Sequence, residues 1–130
     1  MLGLVITTDY KMYKKDFGEP MYKTVGAVVG GYVEHALPMY LAEPFCLLID
    51  EEGKLNHKPI NPVASAWYSP VDPIVGTVVV MKDGYVDGER DIVGLTEDEC
   101  KKIIDHVYAI SDEEYRLIDE PQEEQKDGVL

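Results

Sequence analysis

The sequence predicts a single α+β domain, in which a mostly antiparallel sheet of four or five strands packs against two or three helices. The chain has 130 residues, which is the usual size of one domain. Short β-branched runs bounded by turn residues indicate strands, whereas helical spacing of apolar residues is confined to a few separate segments. The hydrophobic fraction of 45% is ordinary for a protein with a packed core. We place this domain at residues 1–110 and predict that 111–130 form an acidic, partly disordered C-terminal extension.

Strand propensity predicts five extended segments, at Leu2 to Thr8, Tyr32 to Ala36, Phe45 to Ile49, Ile74 to Met81 and Ile92 to Val93. The fourth is the most β-branched part of the chain and is therefore the predicted central strand. After the third segment an acidic turn follows, and Lys54-Leu55 is predicted to begin the return. Residues 9–20 are predicted to be a connection. Residues 82–90 contain Asp-Gly twice and are predicted to form a reversal loop.

Helical spacing and capping residues predict the helices. Apolar residues at helical intervals begin at Met21 and stop at Gly30-Gly31, which is typical of a short helix with a glycine C-cap. Asn61-Pro62 predicts a helix start, because asparagine caps free amides and proline suits the first helical position. Thr96 with a glutamate three residues later is a capping box, and it opens the predicted helix from about Glu97 to Ala109. A further short helix is predicted after Ser111.

The charge balance is strongly acidic, with 25 acidic and 12 basic side chains and a formal charge of −13. Residues 82–130 hold sixteen acids and six bases, a net −10 of this total. Such a chain repels phosphate backbones and anionic lipid surfaces, so we expect no direct binding to nucleic acid or membranes. No run is long and apolar enough for a membrane helix or a signal peptide, so the expected location is the cytoplasm.

No constellation typical of catalysis or metal binding is visible. His35, His57 and His106 are far apart in the sequence, and none forms a close pair with another histidine or cysteine. Cys46 and Cys100 fall in apolar positions and are predicted to be buried, reduced thiols. Phosphate-loop, nucleophile-elbow and dinucleotide-binding patterns are missing. We therefore predict no enzyme activity, no catalytic residue, no metal site and no cofactor.

A set of aromatic and hydrogen-bonding side chains near the ends of predicted elements forms the candidate ligand site. Its members are Tyr32, Glu34, Asn61, Trp67, Tyr68 and Arg90. Pockets commonly open at such element ends, and aromatic rings stack on planar ligands. The same residues are more often found at core edges, helix caps and surface positions, and that alternative stays open.

Four segments resemble a known family. They are VGGYVE at 29–34, LIDEEGKL at 48–55, NPVA at 61–64 and IVGLT at 92–96, with the Gly76 strand between the last two. In this order they resemble the domain of unknown function 3846 (DUF3846) over roughly residues 2–108. That resemblance implies a small accessory protein of phages, prophages or plasmids, and no catalytic residue is carried over from it. The recurring positions, such as Gly30, Gly31 and Ala64, also have structural explanations.

Two hypotheses of different classes follow. The first is a non-catalytic, oligomeric anti-defence protein that sequesters a nucleotide-like host signal in the host cytoplasm. A phosphate on that ligand would need a local cluster drawn from Lys11, Lys14, Lys15, Lys23 and Arg90. The alternative is an acidic protein that mimics nucleic acid and binds the basic groove of a host defence protein. In both, a homo-oligomer is expected.

Overall fold

The computed structural model describes residues 1–69 and 71–122. The strands are β1 (Leu2–Ile6), β2 (Lys11–Asp16), β3 (Val33–Ala36), β4 (Phe45–Asp50), β5 (Val78–Val86), β6 (Glu89–Val93) and β7 (Arg116–Leu117). The helices are α1 (Met21–Val29), α2 (Pro62–Tyr68) and α3 (Glu97–Ile110). The fold is α+β, as predicted, but the described residues form seven strands where four or five were expected. Within the extension at 111–130 that was predicted to be partly disordered, residues 123–130 lie outside the described ones.

All the strands belong to one sheet, in the order β3-β4-β5-β1-β2-β7. β6 pairs with the second half of β5, next to the part of β5 that pairs with β1. Every pairing is antiparallel except that of β2 with β7. β5 is central, as predicted, and β3 forms one edge of the sheet.

The two faces of the sheet bury two separate cores. Side chains alternate between the faces along each strand, so Leu48 of β4 packs under α1 with Val25 and Val29, while Leu47 faces the opposite side. That opposite side is covered by α2 and α3, and its core includes Trp67, Ile103 and Val107. The protein therefore has three layers, with α1 on one face and α2 and α3 on the other.

The predicted helix boundaries are confirmed where capping residues set them. α1 ends at Gly30, which has the left-handed φ of 85° that glycine tolerates without a Cβ clash. Asn61 caps α2, and Thr96 with Glu99 forms the capping box of α3. Among the described residues, no helix has both the length and the apolar character needed to cross a bilayer.

Three predictions along the chain were wrong. Part of the predicted connection at 9–20 is β2, a strand that the lysines had obscured and in which only Met12 is fully buried. Part of the predicted loop at 82–90 is strand: β5 runs on to Val86, and the reversal occurs at Asp87-Gly88, where both residues have positive φ. Lys54-Leu55 lies in a turn and begins no strand.

The prediction of a short helix after Ser111 was also wrong. The segment after α3 contains no helix within the described residues, and Arg116–Leu117 instead forms β7 beside β2. Tyr115, just before this strand, is buried, contacts Tyr10 edge to face and accepts a hydrogen bond from the Val63 amide through its hydroxyl. Residues 115–117 are therefore packed onto the sheet and onto the start of α2.

Candidate functional site

A cleft of about 390 Å³ opens between the edge strand β3, the end of α2 and the loops on either side of α2. Its floor is apolar and largely buried, with Ala36 and Ile74 among its residues. Tyr68, at the last turn of α2, supplies a half-buried aromatic ring. The exposed polar groups around the opening are Glu34, Glu51, Lys54 and Asp72. The cleft combines an apolar interior with a mostly acidic rim.

The Gly30-Gly31 pair positions β3 next to this cleft. A Cβ atom on Gly31 would overlap Oδ1 of Asp50, so the close approach of this backbone to β4 requires glycine. Directly after the pair, Val33 begins β3 and pairs with Asp50 in the register of the sheet. The glycine motif noted in the sequence therefore sets where the edge strand starts.

A buried ion pair joins the end of β4 to the loop that precedes α2. The Asp50 side chain is 1% exposed, and its Oδ2 atom lies 2.6 Å from Nζ of Lys58. Nζ of Lys58 also donates to the Val29 carbonyl at 2.7 Å, at the C-terminal end of α1, where a cation is favourable. Burial would raise the pKa of Asp50, but the Lys58 ammonium and the Glu52 amide outweigh it and lower that pKa. Asp50 is therefore an ionised structural residue.

Asn61 anchors the start of α2 and so fixes where Tyr68 lies. Its side-chain oxygen accepts a hydrogen bond from the Ala64 amide at 3.3 Å, as an N-cap. Its amide group donates to the carbonyls of Ile6 at 3.1 Å and of Gly76 at 3.0 Å. Because every polar atom of this fully buried side chain has a protein partner, Asn61 has none left for a ligand.

The structure brings two of the six predicted site residues together, since Glu34 and Tyr68 both line the cleft. Tyr32 is 75% exposed and borders a different, shallow groove. Arg90 lies exposed on β6, opposite Tyr85. Trp67 is fully buried, and its Nε1 donates to Nδ1 of His106 at 2.9 Å.

His106 on α3 is half-buried and belongs to the packing of the helices. Its ring lies nearly parallel to the indole of Trp67, and the hydrogen bond joins α2 to α3. Trp67 and His106 therefore stabilise the packing of the two helices on the sheet.

Sequence reasoning missed several residues of the cleft. Leu37, Leu55 and Ile74 supply much of its apolar surface, and Lys54 and Asp72 form an ion pair at its rim. These residues come from loops without regular periodicity, so no pattern in the sequence indicates that they meet.

The lysines proposed for a phosphate do not line this cleft. Lys11, Lys14 and Lys15 contact Asp9, Glu97 and Glu120, respectively. Lys23 borders the groove that contains Tyr32. Any phosphate in the cleft would meet Glu34, Glu51 and Asp72 with Lys54 as the nearby rim cation.

The fold and the cleft define a small three-layer α+β protein with one acidic-rimmed cleft beside its edge strand. The chain belongs to the family described as Domain of unknown function (DUF3846), whose model matches residues 1–124. This confirms the resemblance found in the sequence and extends it beyond α3 through β7. No curated protein and no solved structure matches the chain.

Proposed function

We propose that this protein is a non-catalytic accessory protein of a phage or another mobile element, which sequesters a small nucleotide-like host signal in the cleft. The cleft itself is the observation that supports the proposal. Its volume of about 390 Å³ falls within the range of small-molecule sites, and Tyr68 offers a ring beside an apolar floor. A planar heterocycle gains from both features, because it buries apolar faces and stacks on aromatic rings.

The charges at the rim determine which end of such a ligand enters. Glu34, Glu51 and Asp72 outnumber the single ammonium of Lys54, which already pairs with Asp72. A phosphate is repelled by this arrangement, whereas a carboxylate accepts hydrogen bonds from the amino groups of a base. The base therefore enters the cleft, and any phosphate stays outside in the solvent.

Thermal unfolding with matched ligands tests this orientation. We expect a nucleoside to raise the melting temperature at least as much as its own 5′-phosphate, because the phosphate adds repulsion and no contact. A ligand present at 100 times its dissociation constant should raise it by about 10 °C for a domain of this size. Adenosine, guanosine, their monophosphates, a cyclic dinucleotide and ADP-ribose form a suitable panel, and mass spectrometry should recover each ligand chemically unchanged.

Glu34→Gln is the matched variant, with Glu43→Gln as its control, because Glu43 is exposed and lies outside the cleft. We expect Glu34→Gln to weaken binding by about tenfold or more, the value of one hydrogen bond to a charged group. Binding should be unchanged in Glu43→Gln. Three results would contradict the proposal. No ligand of the panel raises the melting temperature, the rise requires the phosphate and is the same in Glu34→Gln, or the ligand is chemically converted.

A second candidate function is an acidic decoy for a basic, nucleic-acid-binding host protein. Seven lysines of the described residues each contact a carboxylate, so much of the basic charge is neutralised locally. In the first turn of α3, Glu97 and Glu99 already pair with Lys14 and Lys82, and the exposed Asp98 adds to the acidic surface. The excess of acidic over basic side chains favours the second candidate.

Salt-dependent capture distinguishes a decoy from a protein whose acidic charge only keeps it soluble. We expect the immobilised protein to retain a nucleic-acid-binding host protein at low salt, and duplex DNA to compete for it. Retention should fall steeply as salt is raised, because exposed charges are screened within about 8 Å at physiological ionic strength. Capture that resists both salt and DNA would rule out mimicry of nucleic acid.

A further inference from the structure

Three side chains with metal-binding atoms converge on the face of the sheet that α1 covers in part. They are His35 of β3, Cys46 of β4 and Asp83 of β5, and their ligand atoms all lie within 4.8 Å of one another. We propose that these three residues bind one zinc-type divalent transition-metal ion. The proposal is independent of the cleft and of any ligand bound there.

The sheet itself creates this convergence. β4 lies between β3 and β5, whose backbones are therefore roughly 10 Å apart. Cys46 shares its face of β4 with Leu48, and Asp83 shares its face of β5 with Met81, which places both under the α1 side. His35 and Asp83 reach toward each other across β4, and Nε2 of His35 lies 2.8 Å from Oδ1 of Asp83. The small Cys46 side chain between the two strands leaves room for this contact.

The proposed site is separate from the cleft, although His35 also borders the latter. Along β3, Glu34 and Ala36 point to the α2 face, while His35 and Val33 point to the α1 face. The His35 ring nitrogen that contacts Asp83 therefore belongs to the opposite side of the sheet from Glu34.

The donor atoms match the preferences of zinc. Imidazole nitrogen, thiolate sulfur and carboxylate oxygen bind Zn²⁺ at about 2.0–2.3 Å, which places tetrahedral ligand atoms roughly 3.3–3.6 Å apart. The present distance of 2.8 Å between His35 and Asp83 must therefore widen slightly, within a cluster whose ligand atoms lie no more than 4.8 Å apart. His35 and Asp83 have side chains that are 34% and 21% exposed, so each has freedom to adjust. Three protein ligands leave a fourth position for water or another group.

Charge also favours a cation at this place. The Cys46 thiol is fully buried, and the Asp83 carboxylate lies close to it. A divalent ion bound by the thiolate and the carboxylate would replace the thiol proton and neutralise both charges. The formal charge of −13 attracts cations to the protein as a whole.

Cobalt titration tests the site, because Co²⁺ bound by a thiolate absorbs in the near ultraviolet through charge transfer from sulfur. We expect the metal-free full chain to bind one Co²⁺ with this absorption and to release it to an equivalent of Zn²⁺. Cys46→Ser should abolish the absorption. His35→Gln and Asp83→Asn should each lower the affinity by more than about 100-fold, the upper range for mere supporting residues.

Three variants serve as matched controls: Cys100→Ser at the other buried thiol, His57→Gln at an exposed histidine, and Asp87→Asn in the turn that follows Asp83. All three should bind cobalt like the parent protein. Melting temperatures measured with a chelator show whether Cys46→Ser is folded. If it is not, the variants of His35 and Asp83 test the site, because these two side chains are partly exposed. Absence of stoichiometric binding, or binding that survives His35→Gln and Asp83→Asn, would overturn the proposal.

Discussion

Asn61→Asp is expected to destabilise the protein more than Asn61→Ala, although aspartate and asparagine are equally good N-caps. The buried amide group donates to the carbonyl oxygens of Ile6 and Gly76. A carboxylate would place negative charge against both oxygens and leave them without a donor. We expect a loss of about 3 kcal/mol or more in the free energy of unfolding at pH 7, against about 2 kcal/mol for alanine.

The pH dependence of this loss identifies its cause. The introduced carboxyl should have a pKa in the folded protein above its unfolded value of about 3.9, because only the protonated form can donate. The loss of unfolding free energy is therefore complete at pH values above the pKa of this carboxyl in the folded protein. It shrinks as the pH falls toward the pKa of the same carboxyl in the unfolded chain. Urea unfolding at pH 4.5 and 7.5 measures it, with Asn56→Asp at an exposed position as the control. Equal effects of the aspartate and alanine variants would show that the two carbonyl contacts contribute little.

Lys58→Met should have the second large effect, because it leaves the carboxylate of Asp50 buried without its cation. Asp50 is 1% exposed, and its Oδ2 atom has the Lys58 ammonium as its close partner. Removing one member of a buried pair typically costs 3–5 kcal/mol, and we expect about 3 kcal/mol here because Lys58 itself is 23% exposed. The contact of Lys58 with the end of α1 is lost as well.

Acid titration distinguishes the loss of the ion pair from a packing defect. In the parent protein the pKa of Asp50 is lowered by folding. Its contribution to stability is therefore present at pH values above its pKa in the unfolded chain, and it is lost as the pH falls through its pKa in the folded protein. In Lys58→Met that pKa should rise, so the deficit relative to the parent should shrink on acidification. Lys54→Met is the control: it removes a rim pair whose side chains are both more than half exposed, and should cost less than about 1 kcal/mol. A deficit independent of pH would indicate lost packing.

Elements with their own local signals were predictable from the sequence. The capping box at Thr96 and the spacing of apolar residues placed α3 within one residue at its C-terminal end. The glycine pair placed the end of α1, and Asn61 placed the start of α2. In each case the signal is a physical requirement of the helix end and needs no distant partner.

Elements defined by distant partners were not predictable. β2 pairs with β1 although its lysines suggest a loop, and β7 is only two residues long. Two Asp-Gly pairs offered equivalent reversals, and the sheet uses only the second.

The candidate sites show the same division. Glu34 and Tyr68 were predicted because they lie near the ends of local elements, whereas Leu37 and Asp72 meet them only through the fold. The cluster of His35, Cys46 and Asp83 draws one residue from each of three strands, so no spacing in the sequence reveals it. Asn61 and Trp67 were chosen for their chemistry, which the folded protein uses internally.

The short strand β3 carries Glu34 toward one face of the sheet and His35 toward the other. A shift of one residue in its pairing with β4 would exchange the two faces and displace both groups at once. An insertion or deletion inside β3 would therefore disturb both groups, whereas a substitution of Glu34 or His35 changes only one of them.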